Sequence, residues 1–293
     1  MRGSAPILLL IGVTAIWGLT FVQVQDALAL YPLFAFLAVR FAISMVVLAP
    51  FAIGPLRELP REGVLAGLGV GVLLAAAYGL QTAGLELTTV TSTGFITGLY
   101  VVFTPLIAFW LFGTRVPAIA WVGVGFAVFG LLLLNGVPGG STVGNGLVVA
   151  NAVAQSFQIA SMERFAPRYD ARALTFLQMT TCFVGFLVIA LALGELEVPR
   201  GWTVWGALLV TGIFAGALGY LIATWVQART TAARAALVFT LEAPFAALFG
   251  VLLANEVLGW LGWLGCAVML AGIVLAEPAA SAALRRLVGR DGA

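Results

Sequence analysis

The chain has 293 residues, 62% of them hydrophobic and only 9% charged, with a formal net charge of +2. A soluble globular chain carries about a quarter charged residues, so these charges could not cover the surface of a water-soluble core. All 14 basic residues are arginine and His is absent, which excludes a GxxxxGKS/T phosphate loop, a Schiff-base lysine, a histidine proton relay, an HExxH zinc site and a Ser-His-Asp triad.

A helix needs roughly 20 apolar residues to cross a bilayer. Ten stretches qualify in chain order: 5–25, 33–53, 63–84, 91–112, 118–135, 146–162, 173–194, 204–226, 236–254 and 259–276. The fold class expected is therefore an all-α integral membrane protein with ten transmembrane helices. Polar groups inside such helices must face inward, away from lipid, so each span is read for its polar or aromatic stripe. The first offers Thr14, Trp17 and Phe21 on one face. The second carries Arg40, a buried cation that needs a partner; Glu86 and Asp26, at nearby helix ends, are candidates, and a substrate carboxylate is the other reading. The third holds Tyr78, Gln81 and Thr82, with Gly63, Gly67 and Gly71 as a small-residue ridge suited to close helix approach.

In the fourth span Thr93, Thr97, Tyr100 and Thr104 share a face, followed by Pro105. The sixth carries Asn151, Gln155 and Gln158. The eighth has Tyr220, Thr224 and Gln227, with Gly212 and Gly216 on a second small-residue ridge. The ninth contains Glu242, the one carboxylate deep in a span, followed by Pro244. Trp17, Phe21, Tyr78, Gln81, Thr97, Tyr100, Gln155, Gln158, Tyr220 and Thr224 form the expected substrate cavity. Arg40 and Glu242 are read as coupling or structural charges, and Pro105 and Pro244, each lacking a backbone donor, as hinges. For any single Thr or Gln, bonding to a neighbouring helix is the competing role. Cys182 and Cys266 lie in apolar runs and read as packing, not as a disulfide or a metal pair. No cofactor or metal is expected.

Orientation follows from arginine placement. With the N-terminus inside, 12 arginines fall in inner segments, Arg200 alone falls outside, and Arg40 lies within a span. Both termini are therefore expected on the cytoplasmic side. The two halves also repeat. Trp121, Gly123 and Gly130 recur as Trp263, Gly265 and Gly272 at one common offset, and Leu99, Thr104 and Pro105 are matched by Leu237, Glu242 and Pro244. Five spans per half force opposite orientations, the inverted repeat of secondary transporters. The units expected are 1–139, 140–278 and a basic cytoplasmic tail, 279–293. A fused pair of halves houses its site in one chain, so a monomer is sufficient.

Trp17-Gly18, Arg40-Phe41, Thr104-Pro105, Thr231-Ala232-Ala233-Arg234, Leu241-Glu242-Ala243-Pro244 and Asn255-Glu256 together resemble the drug/metabolite transporter superfamily, in its ten-helix EamA type, over essentially the whole chain. Gly113-Thr114-Arg115 departs from the pattern in the first half. The resemblance implies a bacterial inner-membrane exporter of amino acids, including aromatic ones, by alternating access. A drug or other small-metabolite exporter on the same frame is the alternative. An integral membrane enzyme is a third reading, disfavoured because the acids are scattered and histidine is lacking.

Overall fold

The computed structural model describes residues 5–88, 90–135, 141–253 and 257–276. Among these residues every regular element is helical. The elements form ten rods: α1 (Ala5–Leu28), α2 (Leu33–Glu58), α3 (Arg61–Leu87), α4 (Val90–Gly98 and Tyr100–Phe112), α5 (Ala118–Asn135), α6 (Thr142–Phe165), α7 (Ala171–Leu193), α8 (Trp202–Leu209, Val210–Gly219 and Tyr220–Gln227), α9 (Ala232–Phe239 and Glu242–Leu253) and α10 (Trp260–Ala276). Seven of them, α1 to α4 and α7 to α9, are long and apolar enough to cross a membrane. Of the others, α5 and α10 are apolar but shorter. The last, α6, is long but carries Asn145, Asn151, Gln155 and Gln158. Asn255-Glu256 and the basic tail 279–293 lie outside the described residues.

Helix starts differ from the hydropathy reading where polar caps act. The sixth and ninth rods begin before their apolar runs because Ser141 accepts a hydrogen bond from the Gly144 amide and Thr231 from the Arg234 amide. Such capping stabilises a helix start by about 1 kcal/mol, a signal that hydropathy alone does not register. Asp170 does the same for α7 through the Arg172 amide.

The rods pack in pairs that exchange when α1–α5 are swapped with α6–α10. Thus α1 packs on α8 as α6 packs on α3, α1 on α9 as α6 on α4, and α2 on α8 as α7 on α3, while α2–α7 and α5–α10 map onto themselves. The α5–α10 contact shows the relation atom by atom. A Cβ at Gly130 would meet the Gly265 carbonyl at 2.7 Å, and one at Gly272 would meet the Gly123 carbonyl at 3.1 Å. The residues matched in the sequence repeat therefore touch each other reciprocally, and the two helices run antiparallel. A second matched pair of contacts seats each small-residue ridge on a neighbouring rod, α3 on α7 and α8 on α2. Ser44 Oγ donates to the Gly212 carbonyl at 2.7 Å, and Cys182 Sγ reaches the Gly71 carbonyl at 3.7 Å. Gly67 and Gly71 lie so close to Leu177 and Thr181 that a side chain at either would collide at under 3 Å.

Three rods depart from a regular α-helix. Residues Val210–Gly219 of α8 form a π-helix, whose wide turn leaves carbonyls open to side chains. Two are used: Trp17 Nε1 donates to the Ala215 carbonyl at 3.0 Å, and Ser44 to Gly212. In α9 the break at Thr240 and Leu241 follows from Pro244. Its missing N–H leaves the Thr240 carbonyl to accept instead from the Ala243 amide at 3.2 Å, and the chain tightens there. In α4 the interruption falls at Leu99, in a tight turn closed by Leu99 N to the Ile96 carbonyl at 3.1 Å and Val102 N to the Leu99 carbonyl at 2.9 Å. That turn lies more than a helical turn before Pro105, which itself sits inside the regular second segment.

Candidate functional site

The broken rods α4 and α9 and the part of α8 just after its π-segment surround the middle of the bundle together with α1, α2, α3 and α6. Two chambers open there. One is lined by Tyr100, Asn151, Gln155, Ile159, Tyr220 and Phe239. The other is lined by Thr20, Phe21, Val24, Arg40, Thr82 and Leu85. Trp17, Tyr78, Gln81 and Glu242 border both, so they form one divided cavity. Each chamber offers about 30 Å³ to the centre of a water-sized sphere. A single water needs roughly 10–15 Å³ on that measure. This conformation thus holds a few waters at most, and a metabolite enters only when the rods separate.

The walls are aromatic. Trp17 lies 5.2 Å from the Tyr220 ring and 5.3 Å from Phe239, and Tyr78 lies 6.1 Å from Tyr220. These rings come from α1, α3, α8 and α9, so their cluster exists only when both halves are assembled. Opposite them is a neutral amide network. Thr97 Oγ1 accepts from Gln81 Nε2 at 3.3 Å and from Asn151 Nδ2 at 3.1 Å, tying α3, α4 and α6 together. Gln155, beside Asn151 on the same face of α6, completes that wall.

Arg40 is 4% exposed. Its guanidinium carbon lies 4.7 Å from the centre of the Tyr78 ring and 5.5 Å from that of Phe41. Among the described residues the guanidinium makes one hydrogen bond, from Nη2 to the Tyr78 hydroxyl at 3.3 Å, and none of them bonds Nε. The structure does not pair it with Glu86 or Asp26. Among the described residues the single ion pair joins Arg172 to Asp170. The carboxylate that shares a chamber with Arg40 is Glu242.

Of the residues singled out from the sequence, Trp17, Phe21, Tyr78, Gln81, Thr97, Tyr100, Gln155, Tyr220, Arg40 and Glu242 converge on the divided cavity. Gln158 and Thr224 do not. Gln158 is 2% exposed and donates to Gln178 Oε1 at 3.0 Å, and Thr224 is 1% exposed and bonded to Thr175 Oγ1 at 3.0 Å. Both serve as bonds from α6 and α8 to α7, because their faces turn toward that neighbour. Phe239 lines the cavity although sequence reasoning does not single it out. It stands in the second half close to where Tyr100 stands in the first, and the repeat could have pointed to it. Gly18, in the sequence only part of a motif, is the point where α1 touches α9: a Cβ there would lie 2.7 Å from the Ala246 amide nitrogen and 2.9 Å from the Glu242 carbonyl.

A family model for the EamA-like transporter family matches the chain twice, over residues 4–136 and 142–276. The chain belongs to the EamA-like transporter family. It is a multi-pass membrane protein of a transporter family, and the two matched segments coincide with the two sets of five rods. A protein of Archaeoglobus fulgidus described as an uncharacterized transporter is 30% identical to this EamA-family chain over 266 residues, covering 90% of this chain and 82% of its own. A crystal structure of 20% sequence identity superposes with a TM-score of 0.75, covering 97% of this chain and 99% of that one; at that identity the match shows a shared fold.

Proposed function

We propose that this protein is a secondary transporter that exports amino acids, neutral or aromatic ones foremost, across the bacterial inner membrane by alternating access. All ten rods span the bilayer, the two sets of five are inverted repeats, and both termini are cytoplasmic. The observation that carries the reading is the divided cavity at the seam between halves. Its aromatic rings accept an apolar side chain, its amides and hydroxyls accept polar backbone-like groups, and its single arginine is matched by a single carboxylate. A phosphate ester would call for several arginines; the cavity has one. The exchange of packing partners between halves supports a rocking motion about the α2–α7 and α5–α10 contacts. The breaks in α4 and α9 are natural points of bending, with Pro244 at one and Pro105 beyond the other.

The test is flux of a labelled amino-acid panel in proteoliposomes containing the full chain, with Trp17→Ala as the control. Saturable flux that Trp17→Ala abolishes supports amino-acid export. Absence of flux for every amino acid, from protein that melts cooperatively, refutes it and favours a drug or other metabolite on the same frame.

A further inference from the structure

The repeat makes the two charges in the cavity stand out. Arg40 on α2 occupies the place that Gln178 holds on α7. The alignment of Ser44 with Cys182, each reaching the carbonyl of a ridge glycine in a neighbouring rod, fixes that register. Gln178 is neutral and satisfied: Nε2 donates to the Leu174 carbonyl at 3.3 Å, and Oε1 accepts from Gln158. Arg40 is neither. A buried guanidinium without a carboxylate costs several kcal/mol, and aromatic faces stabilise its planes but not the N–H groups along its edge. Glu242 breaks the repeat in the same way, since its counterpart in the first half is Thr104. No described residue hydrogen-bonds the Glu242 side chain or forms an ion pair with it. Both departures from symmetry border one chamber, one a base and the other an acid, and the two form no ion pair with each other.

We infer that Arg40 is the carboxylate subsite and Glu242 the ammonium subsite for a zwitterionic α-amino acid. This rests on the amino-acid reading above and assigns the two poles of that substrate. When the rods open, a substrate carboxylate takes the free edge of Arg40, with Tyr78 steadying the guanidinium from its other side. The substrate ammonium takes Glu242, and the side chain lies among Trp17, Tyr220 and Phe239. Net charge in the filled chamber is then zero, so no ion is moved across the low-dielectric core unmatched.

The experiment is competition against labelled L-phenylalanine flux in proteoliposomes of the full chain, using L-phenylalanine, L-phenylalaninamide and 3-phenylpropionate. Loss of a charge-assisted hydrogen bond weakens binding by about 10- to 100-fold. The wild type is expected to prefer the acid over the amide, and the amino acid over phenylpropionate, by factors in that range. In Arg40→Gln the preference for acid over amide should collapse toward unity, in Arg40→Lys it should fall part-way, and Glu242→Gln should relax only the discrimination against phenylpropionate. A merely structural role would lower all three competitors together and leave the ratios unchanged. If the wild type carries phenylalanine but takes its amide equally well, the assignment of Arg40 falls while amino-acid export stands, and this arm needs no variant to fold. The assignment falls likewise if Arg40→Lys keeps the full acid preference. If no amino acid is carried at all, both readings fall.

Discussion

Replacing Gly18 with alanine places a methyl group where α1 and α9 cross. The new Cβ would sit 2.7 Å from the Ala246 amide nitrogen, 2.7 Å from Phe245 Cβ and 2.9 Å from the Glu242 carbonyl oxygen. Ordinary contact begins near 3.4 Å, so the shortfall is 3.4 − 2.7, about 0.7 Å. Two of the three atoms are backbone and the third is a Cβ, so no rotamer change relieves the clash. The second half of α9 must back away as a body. A gap of that size forfeits a quarter to a half of each dispersion contact along the seam, and overpacking of this kind costs about 1–3 kcal/mol.

Gly12, also on α1, supplies the control, because a Cβ there meets nothing within 4 Å. Alanine is favoured over glycine in a helix by up to about 1 kcal/mol, so Gly12→Ala should be neutral or stabilising. The two variants are thus expected to differ by about 2 kcal/mol, or roughly 3 °C in melting temperature for a chain of this size. Thermal melting of the detergent-solubilised protein reads that difference. Because Glu242 opens the segment that moves, Gly18→Ala should also lower flux more than its melting point suggests. Equal melting temperatures for Gly18→Ala and Gly12→Ala would refute the close crossing and with it the placement of Glu242 beside Gly18.

Thr97→Val keeps the shape of the side chain but removes the acceptor shared by Gln81 and Asn151. It should cost about 1 kcal/mol, since water can reach the freed amides from the cavity, and raise KM for transported substrate with little change in expression. Ser44→Ala removes the bond to the Gly212 carbonyl in the π-segment; a loss of about 1 kcal/mol is expected, and a melting curve matching the wild type would show that the bond is not needed there. At the arginine-rich end of the bundle, Arg172 holds the Asp170 carboxyl below its ordinary value through a side-chain hydrogen bond. A lowered folded-state value stabilises above the unfolded-state value near 3.9 and is lost as pH falls through the folded one. Stability from this group should therefore be flat from pH 5 to 8 and decline only in stronger acid, approximately below pH 4. Asp170→Ala should cost about 1 kcal/mol through the lost α7 cap and remove that acid-side decline, both read by melting across a pH series.

The helical class, the apolar rods and the repeat were legible in the sequence because a bilayer imposes a one-dimensional rule. Each crossing must close its own backbone hydrogen bonds and present apolar side chains over a fixed length, and a duplicated half leaves its glycines and tryptophans at a constant spacing. The stripe residues Trp17, Tyr78, Gln81, Thr97, Tyr100 and Gln155 were legible for the same reason, since polar and aromatic faces have few places to go in lipid. The partner of each face was not legible, because helical periodicity says which side of a rod is polar but not which rod it meets. Gln158 and Thr224 repeat the pattern of the cavity residues, yet tertiary packing turns them onto α7. The π-segment of α8 left no mark in hydropathy; it is visible once Trp17 and Ser44 are seen bonding carbonyls that a regular helix would have occupied. Arg40 shows the division most clearly. The sequence alone required a partner for a cation buried in a span and offered Glu86 and Asp26 as nearby acids. The assembled bundle turned it instead toward a chamber shared with Glu242, from the other half of the chain, because charge pairing in a membrane protein is decided by which helices become neighbours in space.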